Sequence, residues 1–467
     1  NDFERFIFAT PDANVVVDSV RTEEQVEHFR RIYRHRVIHI HLTAHTDVLT
    51  VRYEEKFSGM AGEFSCYADA QRNRTEKRVI SLSKISDIEV DTDKCTDRDV
   101  FERAASLLGL YGNSHERLVD VLVGGQYGSE GKGNVAAYIA PEYDYLVRVG
   151  GPNAGHKVKT PDGGEFVFRQ LPSGTGSCNA KLVIGPGAVV NPTILMKEIG
   201  RFKIGVDRLF IDPQAMVISR TDKRFEKNSL KGDISSTASG AGKAAARRIM
   251  HRGSAAHPVV LARDHDDFKS YVKPALEVFD DAFRSHSKVL LEGTQGTGLS
   301  LYHGYYPHVT SRDTTVSGCL AEAGISAARV RKIVMVCRTY PIRVPNSESG
   351  NTSGPMSPDV SREEISKRSG LPMSELSEIT SVTNGKRRIG EFDWHLLRKS
   401  TALNSPTDVA LTFADYLSAE NQKARRFEQL TKKTIEFIEE VERFAKAPVS
   451  LISTRFHMRS IIDRRSW

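Results

Sequence analysis

A largely apolar strand that runs into a glycine-rich turn constrains this chain more than any other feature. Val119 to Val123 is a β-branched run of the kind that forms a buried parallel strand. The ten residues 124–133, GGQYGSEGKG, follow it, and a helix is predicted after them. A second predicted strand, Tyr145 to Val149, ends in another tight loop, 150–156, with the sequence GGPNAGH. Because the ends of parallel strands border the ligand crevice of an open sheet, both loops are predicted to lie there.

The first loop has the composition of a phosphate-binding turn. Glycines let the backbone approach an anion closely, and free N–H groups at a helix start point towards it. Lys132 adds a mobile positive charge. The loop is not a Walker A motif, because Gln126 stands where a glycine is needed and Gly133 where Ser or Thr would bind magnesium. On spacing alone, a glycine-rich turn without a ligand is the alternative.

Composition and charge exclude several classes of protein. At 467 residues the chain exceeds what one core usually holds, so two or more domains are expected. A net charge of +7 without a basic arm suits small anionic ligands and predicts no nucleic-acid binding. Five scattered cysteines predict reduced thiols rather than disulfides or a zinc site. With no membrane-length apolar run and no signal peptide at Asn1, we expect a cytoplasmic protein, incomplete, processed or trimmed at that end.

Residues 1–115 precede the glycine-rich motifs and have their own pattern of strands and helices, which predicts a smaller α/β domain. With the charged segment 72–78, they are similar to the later half of a P-loop nucleotide kinase, although no phosphate loop precedes them. We predict a truncated, kinase-like accessory domain, with an α/β oligomerisation or packing unit as the alternative. The expected strands are Val15–Arg21, Arg36–Leu42 and Ile85–Asp91, and the expected helices are Thr22–Tyr33 and Asp97–Leu110.

The two glycine loops also match the signature of a known family. GQYGSEGKGN from Gly125 and GGPNAGHKV from Gly150 closely resemble the GxQWGDEGKGK and GGxNAGHT motifs of the adenylosuccinate synthetases. The resemblance extends through most of residues 118–454. It implies a catalytic domain at 116–467, built on a mostly parallel central sheet with helices on both faces. It also implies an enzyme that phosphorylates the 6-oxygen of a purine nucleotide and then displaces that phosphate with the amine of L-aspartate.

The resemblance assigns the reacting groups. Lys132 would stabilise the transferring charge and His156 would hydrogen-bond the leaving phosphate oxygen. Gln295, in an EGTQGT stretch that resembles the family's EGAQGT, would orient the purine ring together with Ser129. The cofactor Mg²⁺ would lie between the donor phosphates, the Gly155 carbonyl and Ser129. The residues expected to bind the donor nucleoside triphosphate are Gly128, Glu130, Gly131, Lys132, Gly133, Gly155, His156 and Asp415.

Further stretches resemble the family's substrate contacts. Thr237 lies in a Ser/Gly loop similar to TTGRGIGP, which holds the substrate 5′-phosphate. Arg247 or Arg248 matches an arginine that reaches this phosphate from the neighbouring subunit, so a homodimer with a shared active site is implied. The residues expected to bind the purine monophosphate are Asn153, Thr237, Arg247, Arg248, Gln295, Thr310 and Arg343. The residues expected to bind L-aspartate, where bidentate arginines suit a dicarboxylate, are Thr383, Arg387 and Arg388.

Two positions depart from the family pattern. Ser129 replaces the catalytic aspartate, and a serine hydroxyl is a poor base near neutral pH but can accept a hydrogen bond from a 2-amino group. The same replacement marks phage-type aminoadenylosuccinate synthetases, which take dGMP. Phe413 replaces the lysine that, with the aspartate matched by Asp415, recognises guanine, so ATP and dATP stand beside GTP as possible donors. A ligase acting on dGMP or GMP is expected, with an IMP-using synthetase and a nucleotide-sensing binding protein as alternatives.

Overall fold

The chain forms two compact units that divide between Gly112 and Asn113, close to the boundary at 115 expected from the sequence. A computed structural model describes residues 15–57, 64, 66–111, 116–159, 164–229, 237–346, 350–376 and 386–465. None of the described helices is long and apolar enough to cross a membrane.

The first unit is a small α/β arrangement in which two strands, β1 (Ile40–Thr43) and β2 (Ile88–Asp91), pair in parallel. The first helix begins where the sequence predicts, because Thr22 and Gln25 form a capping box. The strand predicted at 15–21 is wrong: these residues are irregular and mostly exposed, and no described strand pairs with them. The helices are α1 (Glu23–Tyr33), α2 (Thr46–Phe57), α3 (Tyr67–Arg72), α4 (Arg74–Ser81) and α5 (Asp97–Leu107).

The second unit is built on a nine-stranded sheet, and its strands are parallel except for the last one along the chain. Their parallel pairing confirms the fold class predicted from the sequence. All described strands of the unit, in chain order, are β3 (Val119–Gly124), β4 (Tyr145–Arg148), β5 (His156–Lys159), β6 (Glu165–Phe168), β7 (Lys181–Ile184), β8 (Val189–Val190), β9 (Leu209–Ile211), β10 (Met216–Val217), β11 (Val289–Glu292), β12 (Val330–Arg338), β13 (Ile342–Arg343), β14 (Arg388–Ile389), β15 (Asp408–Thr412), β16 (Val449–Ser453) and β17 (Ile461–Asp463). Six of these strands lie outside the large sheet and form the separate pairs β5–β6, β8–β10 and β13–β14. The spatial order of the large sheet is β17-β16-β15-β12-β3-β11-β4-β7-β9.

Helices cover both faces of this sheet. Val121 of β3 packs in one core with Phe279, whereas the next residue, Leu122, packs in another with Val135. Because successive side chains of a strand point to opposite faces, the two cores lie on the two sides of the sheet. The helices are α6 (Lys132–Ile139), α7 (Pro192–Phe202), α8 (Arg220–Ser229), α9 (Ala241–Met250), α10 (Ala275–Arg284), α11 (Val316–Ala323), α12 (Arg362–Ser369), α13 (Trp394–Asn404) and α14 (Lys432–Ala445).

Three neighbouring strands position the candidate site. Strand β11 lies between β3 and β4, and Glu292 at its end is in register with Leu122 on one side and Arg148 on the other. Since all three strands run in the same direction, the loops that follow them emerge side by side. The loop that contains Gln295 follows β11 and therefore lies between the two glycine loops.

Candidate active site

The first glycine loop encloses a buried carboxylate. The Glu130 side chain accepts hydrogen bonds from the backbone N–H groups of Gln126, at 3.0 Å, and Gly128, at 2.7 Å. Its other oxygen lies 2.6 Å from Nζ of Lys132. A glycine is required at 296, because a Cβ there would lie 2.3 Å from a Glu130 oxygen. Glu130 therefore organises the loop from within.

Lys132 is not the mobile charge expected from the sequence. Its side chain has no exposed surface, and Nζ also donates to the carbonyl of Gly128 at 3.1 Å. Burial next to Glu130 fixes the ammonium group, which would otherwise pay a large cost of desolvation. In the part of the chain that is described, the backbone N–H groups of Lys132 and Gly133 at the start of α6 have no acceptor. These two groups are available to bind a phosphate.

His156 is held by a buried carboxylate. Glu292 contacts Nδ1 of the imidazole, and Glu292 is itself held by the hydroxyl and, at 2.7 Å, the backbone N–H of Ser173. Arg148 lies 3.5 Å from the same carboxylate. The outer nitrogen of the ring, Nε2, is buried and has no hydrogen-bond partner among the described residues. Glu292 was not among the residues predicted from the sequence, although it begins the EGTQGT stretch.

The charges around His156 decide its protonation. Burial, followed by repulsion from Arg148, lowers the pKa of His156 despite the attraction of Glu292. Burial alone would raise the pKa of Glu292, but His156, Arg148 and the Ser173 hydroxyl outweigh it and hold that pKa below its ordinary value. The pair is therefore a neutral imidazole and an ionised carboxylate. Because Nδ1 donates its hydrogen to Glu292, Nε2 presents a lone pair.

Gln295 has a second buried polar atom without a partner. Its backbone is left-handed, with φ of 59°, and its Oε1 accepts a hydrogen bond from the Thr294 hydroxyl at 3.0 Å. Its Nε2 has no acceptor among the described residues. Gly128 packs against it so closely that a Cβ on Gly128 would lie 3.0 Å from Cα of Gln295. The structure thus brings the loop segment that contains Ser129 beside Gln295, as the sequence led us to expect.

Ser129 is half-buried, and its backbone carbonyl accepts a hydrogen bond from Arg338 at 3.3 Å. Its hydroxyl makes no hydrogen bond within the described ranges. Ser129 and the half-buried Gly155 supply only neutral oxygen donors. This donor set fits Mg²⁺, which keeps several waters and binds largely to substrate phosphates. Among the described residues, no group of three or more His, Cys, Asp or Glu is arranged to hold a metal ion.

Polar side chains also link three loops near the second glycine turn. Nδ2 of Asn153 donates to the Thr310 hydroxyl at 3.3 Å, which brings these two predicted residues together. The Thr237 hydroxyl lies 3.2 Å from that of Ser239. Arg169 joins the two sides, because it donates to the carbonyl preceding Asn153 at 2.7 Å and to the Ser239 hydroxyl at 3.4 Å. Arg169 was not predicted from the sequence, because it belongs to none of the motifs that carry the resemblance.

Arg247 and Arg248 are bonded within their own chain. Arg247 forms an ion pair with Asp222 at 2.8 Å, and its side chain is largely buried. Arg248 donates to two backbone carbonyls, at 2.7 and 3.1 Å. These bonds use all three guanidinium nitrogens of Arg247 but only Nη1 of Arg248.

Arg343 and Arg388 face each other across the antiparallel pair β13–β14. Arg343 is buried and donates to three backbone carbonyls, one of them that of Ser353 at 2.6 Å, and burial lowers its pKa. Arg388 contacts the Ser353 hydroxyl at 3.3 Å and pairs with Asp359 at 3.1 Å. The neighbouring Arg387 is half-buried, whereas Thr383 lies outside the described residues.

Asp415 is buried in the short turn that follows β15. It is 6% exposed, and its Oδ1 has no partner in the described chain, whereas Oδ2 lies 3.4 Å from the amide nitrogen of Gln422. Burial raises the pKa of Asp415 to about 6. The rings of Phe413 and Phe456 are stacked, with centroids 6.3 Å apart and an interplanar angle of 17°. A buried acceptor two residues from a stacked aromatic side chain suits a heterocyclic base.

The second unit is similar in sequence to proteins of one family. The family model described as adenylosuccinate synthetase matches residues 121–263 and 259–422. The adenylosuccinate synthetase of Pyrococcus horikoshii is 36% identical over 352 residues, which cover 74% of this chain and 98% of that protein. The enzyme of Archaeoglobus fulgidus is 36% identical over 350 residues, with the same shares covered.

Two solved structures resemble the second unit. One is the succinoaminodeoxyadenylate synthetase of cyanophage S-2L, bound to dGMP and to dATP as an energy donor. It has a TM-score of 0.62 and 29% identity and covers 75% of this chain and 96% of its own. The other, the fully ligated adenylosuccinate synthetase of Plasmodium falciparum, has a TM-score of 0.62 and 21% identity and covers 74% and 100%. At that identity it supports the fold alone.

Proposed function

The chain belongs to the adenylosuccinate synthetase family and is a carbon–nitrogen ligase, and from this premise we propose that it joins L-aspartate to the 6-position of dGMP or GMP. The product is an N6-succino-2-amino-adenine nucleotide. The observation that supports this most is Ser129, a hydroxyl where the family has its catalytic carboxylate, in the loop that packs against Gln295. The cyanophage relative, which is described as bound to dGMP, supports the same substrate class.

The amide nitrogen of Gln295 and the hydroxyl of Ser129, which have no hydrogen-bond partner among the described residues, suit a guanine nucleotide. The free amide hydrogens of Gln295 Nε2 can donate to the 6-oxygen of the ring. A guanine also has a 2-amino group beside N1, which hypoxanthine lacks. Because a serine side chain is shorter than an aspartate side chain, Ser129 leaves room for that group and can accept its hydrogen bond.

The proposed reaction has two steps. The 6-oxygen attacks the γ-phosphorus of the donor, the bond to the β–γ bridging oxygen breaks, the nucleoside diphosphate leaves and the N1 proton passes to solvent water. The amine of aspartate then attacks C6, loses a proton, and inorganic phosphate departs with the 6-oxygen. Mg²⁺, bound by the donor phosphates, Ser129 and Gly155, would neutralise part of the phosphate charge.

Lys132 and His156 act on the phosphate that is transferred. The N–H groups at the start of α6 face the negative charge that spreads over the oxygens in the transition state, and Lys132, buried and paired with Glu130, adds its positive charge from within the loop. His156 Nε2 bears a lone pair in the ligand-free chain, so it must gain a proton before it can donate to the leaving oxygen. A phosphate beside it favours that proton, because a nearby negative charge raises the pKa of an imidazole.

The remaining contacts are also proposals. Arg387 and Arg388 bind the carboxylates of aspartate, and Arg388 exchanges its exposed partner Asp359 for the substrate. The donor is an adenine nucleotide, because Phe413 replaces the lysine of the family's guanine-binding pair, while Oδ1 of Asp415 remains an acceptor for the 6-amino group. Guanine would present two donors there. The homodimer with a shared site and the kinase-like accessory role of residues 1–115 rest on resemblance, and the cytoplasmic location rests on the composition of the chain.

A substrate-by-donor matrix tests the proposal. Aspartate-dependent phosphate release is measured with IMP, GMP and dGMP, each with ATP, dATP and GTP. We expect turnover with dGMP or GMP and an adenine donor. Turnover of IMP alone would refute the guanine proposal and favour an ordinary synthetase. Tight binding of guanine nucleotides by calorimetry, with no product in any combination, would instead favour a nucleotide sensor.

A further inference from the structure

Two cations near Thr237 have no carboxylate partner within the described residues. Arg169 donates only to a backbone carbonyl and to the Ser239 hydroxyl, and its second terminal nitrogen, Nη1, has no acceptor there. The side chain of Lys223, in α8, makes no hydrogen bond or ion pair with any described residue, and it lies against Gly240, where an added Cβ would be 3.1 Å from its Cγ. Lys223 lines a cavity of about 730 Å³ whose walls also include Lys197 and Arg220.

The carboxylates of this region are bonded elsewhere. Asp222 pairs with Arg247 at 2.8 Å. Glu226 accepts the backbone N–H groups of residues 240 and 243 at 2.6 and 3.0 Å, and Glu198 accepts those of residues 169 and 171, both at 2.7 Å. The remaining acid at the cavity, Asp267, is exposed and lies 4.0 Å from His265. The region therefore has more positive charge than its own acids neutralise.

The cations also repel one another. Burial, with repulsion from Arg169 and Arg220, lowers the pKa of Lys223. An anion bound between the cations would remove this repulsion and would itself be stabilised by them. Unlike Arg247, whose three guanidinium nitrogens are all bonded, Arg169 and Lys223 keep donors available for such an anion.

We infer that Arg169 and Lys223 bind the 5′-phosphate of the purine nucleotide substrate from within the same subunit. Arg169 is placed for this, because it connects the loop that contains Asn153 with Ser239, next to Thr237. A planar guanidinium offers parallel N–H groups to two phosphate oxygens, and a lysine adds a compact charge. The inference rests on the proposed function, since it names the residues that hold the phosphate of its substrate.

Calorimetry with monophosphates and with guanosine tests the inference, because the nucleoside lacks only the phosphate. Arg169→Gln is expected to raise the Kd of GMP, dGMP or IMP about 10- to 100-fold and to leave the Kd of guanosine unchanged. Lys223→Gln should act in the same direction with a smaller effect. The matched controls are Arg224→Gln and Lys227→Gln, exposed residues of the same helix as Lys223, which should change neither constant.

Two outcomes would overturn the inference. An equal loss for guanosine and GMP would show that Arg169 only supports the loops. A loss of affinity confined to the nucleoside triphosphate would show that Arg169 and Lys223 bind the phosphate donor rather than the monophosphate. If Arg169→Gln does not fold, Lys223→Gln decides, because the side chain of Lys223 makes no hydrogen bond with the described residues that the substitution would remove. Since IMP, GMP and dGMP share the phosphate, the result is independent of which base the enzyme uses.

Discussion

The carboxylate of Glu292 accepts a hydrogen bond from Nδ1 of His156, and both side chains are buried. The two residues are 136 positions apart in the chain. The bond selects the tautomer in which Nε2 is the free nitrogen, which is the atom left without a partner beside the phosphate loop. A contact of β5 with the end of β11 therefore prepares the imidazole before any substrate binds.

Glu292→Gln is expected to lower kcat about 10- to 100-fold and to leave KM for the substrates nearly unchanged. An amide can donate to Nδ1, so the variant no longer selects one tautomer of His156. Steady-state kinetics across a range of pH would measure the effect, and we also expect the acidic limb of the profile to shift. An unchanged kcat, or a rise in KM that accounts for the whole loss, would contradict a positioning role for Glu292.

Lys132→Met is expected to reduce both turnover and the free energy of unfolding, the latter by about 3–5 kcal/mol, because it leaves the buried charge of Glu130 unpaired. The double variant Glu130→Gln/Lys132→Met removes both charges. It should recover much of the stability but none of the turnover, since the transferring phosphate still lacks its cation. Urea unfolding and phosphate release separate the two effects. Normal turnover in the double variant would limit Lys132 to a structural role.

Ser129→Asp is expected to raise turnover of IMP and to lower turnover of dGMP. The new carboxylate supplies a general base for the N1 proton, an effect worth about 100-fold or more, and it occupies the space proposed for the 2-amino group. The ratio of kcat/KM for the two nucleotides is the measurement. Ser129→Ala is the control, because it removes the hydroxyl without adding a base and should weaken dGMP use without activating IMP. A ratio that stays constant in Ser129→Asp would exclude Ser129 as the selecting residue.

Asp415→Asn is expected to stabilise the ligand-free protein above neutral pH by about 1–3 kcal/mol while weakening donor binding. The pKa of Asp415 is raised from 3.8 to about 6, so between these values the folded protein keeps a proton that the unfolded chain releases. The stability that this group contributes is complete below 3.8 and is lost as pH rises through 6. The free energy of unfolding of the wild type and of the variant is measured by denaturation between pH 3.8 and 6 and above pH 6. The difference between the two free energies should grow as the pH rises through this range. Parallel curves would contradict the raised pKa.

Most of the fold around the site could be predicted from local sequence. The run from Val119 predicted β3, and the helix after the glycine loop begins at Lys132, because strand, turn and helix depend on residues only a few positions apart. The same reasoning failed at residues 15–21, where a β-branched run has no described strand to pair with. Lys132 was also expected to be mobile, because a sequence motif does not reveal that its side chain is buried against Glu130.

The sequence by itself determined the class of sheet, the two glycine loops at its strand ends, the family and the serine that replaces an acid. Only the tertiary structure decided which polar groups remain available for a ligand. It bonds Arg247 to Asp222 and leaves donors of Arg169 free, and it places Glu292 behind His156. The physical reason is that local backbone preferences are written in neighbouring residues, whereas the partner of a buried charge is chosen by which distant side chains share its desolvated space.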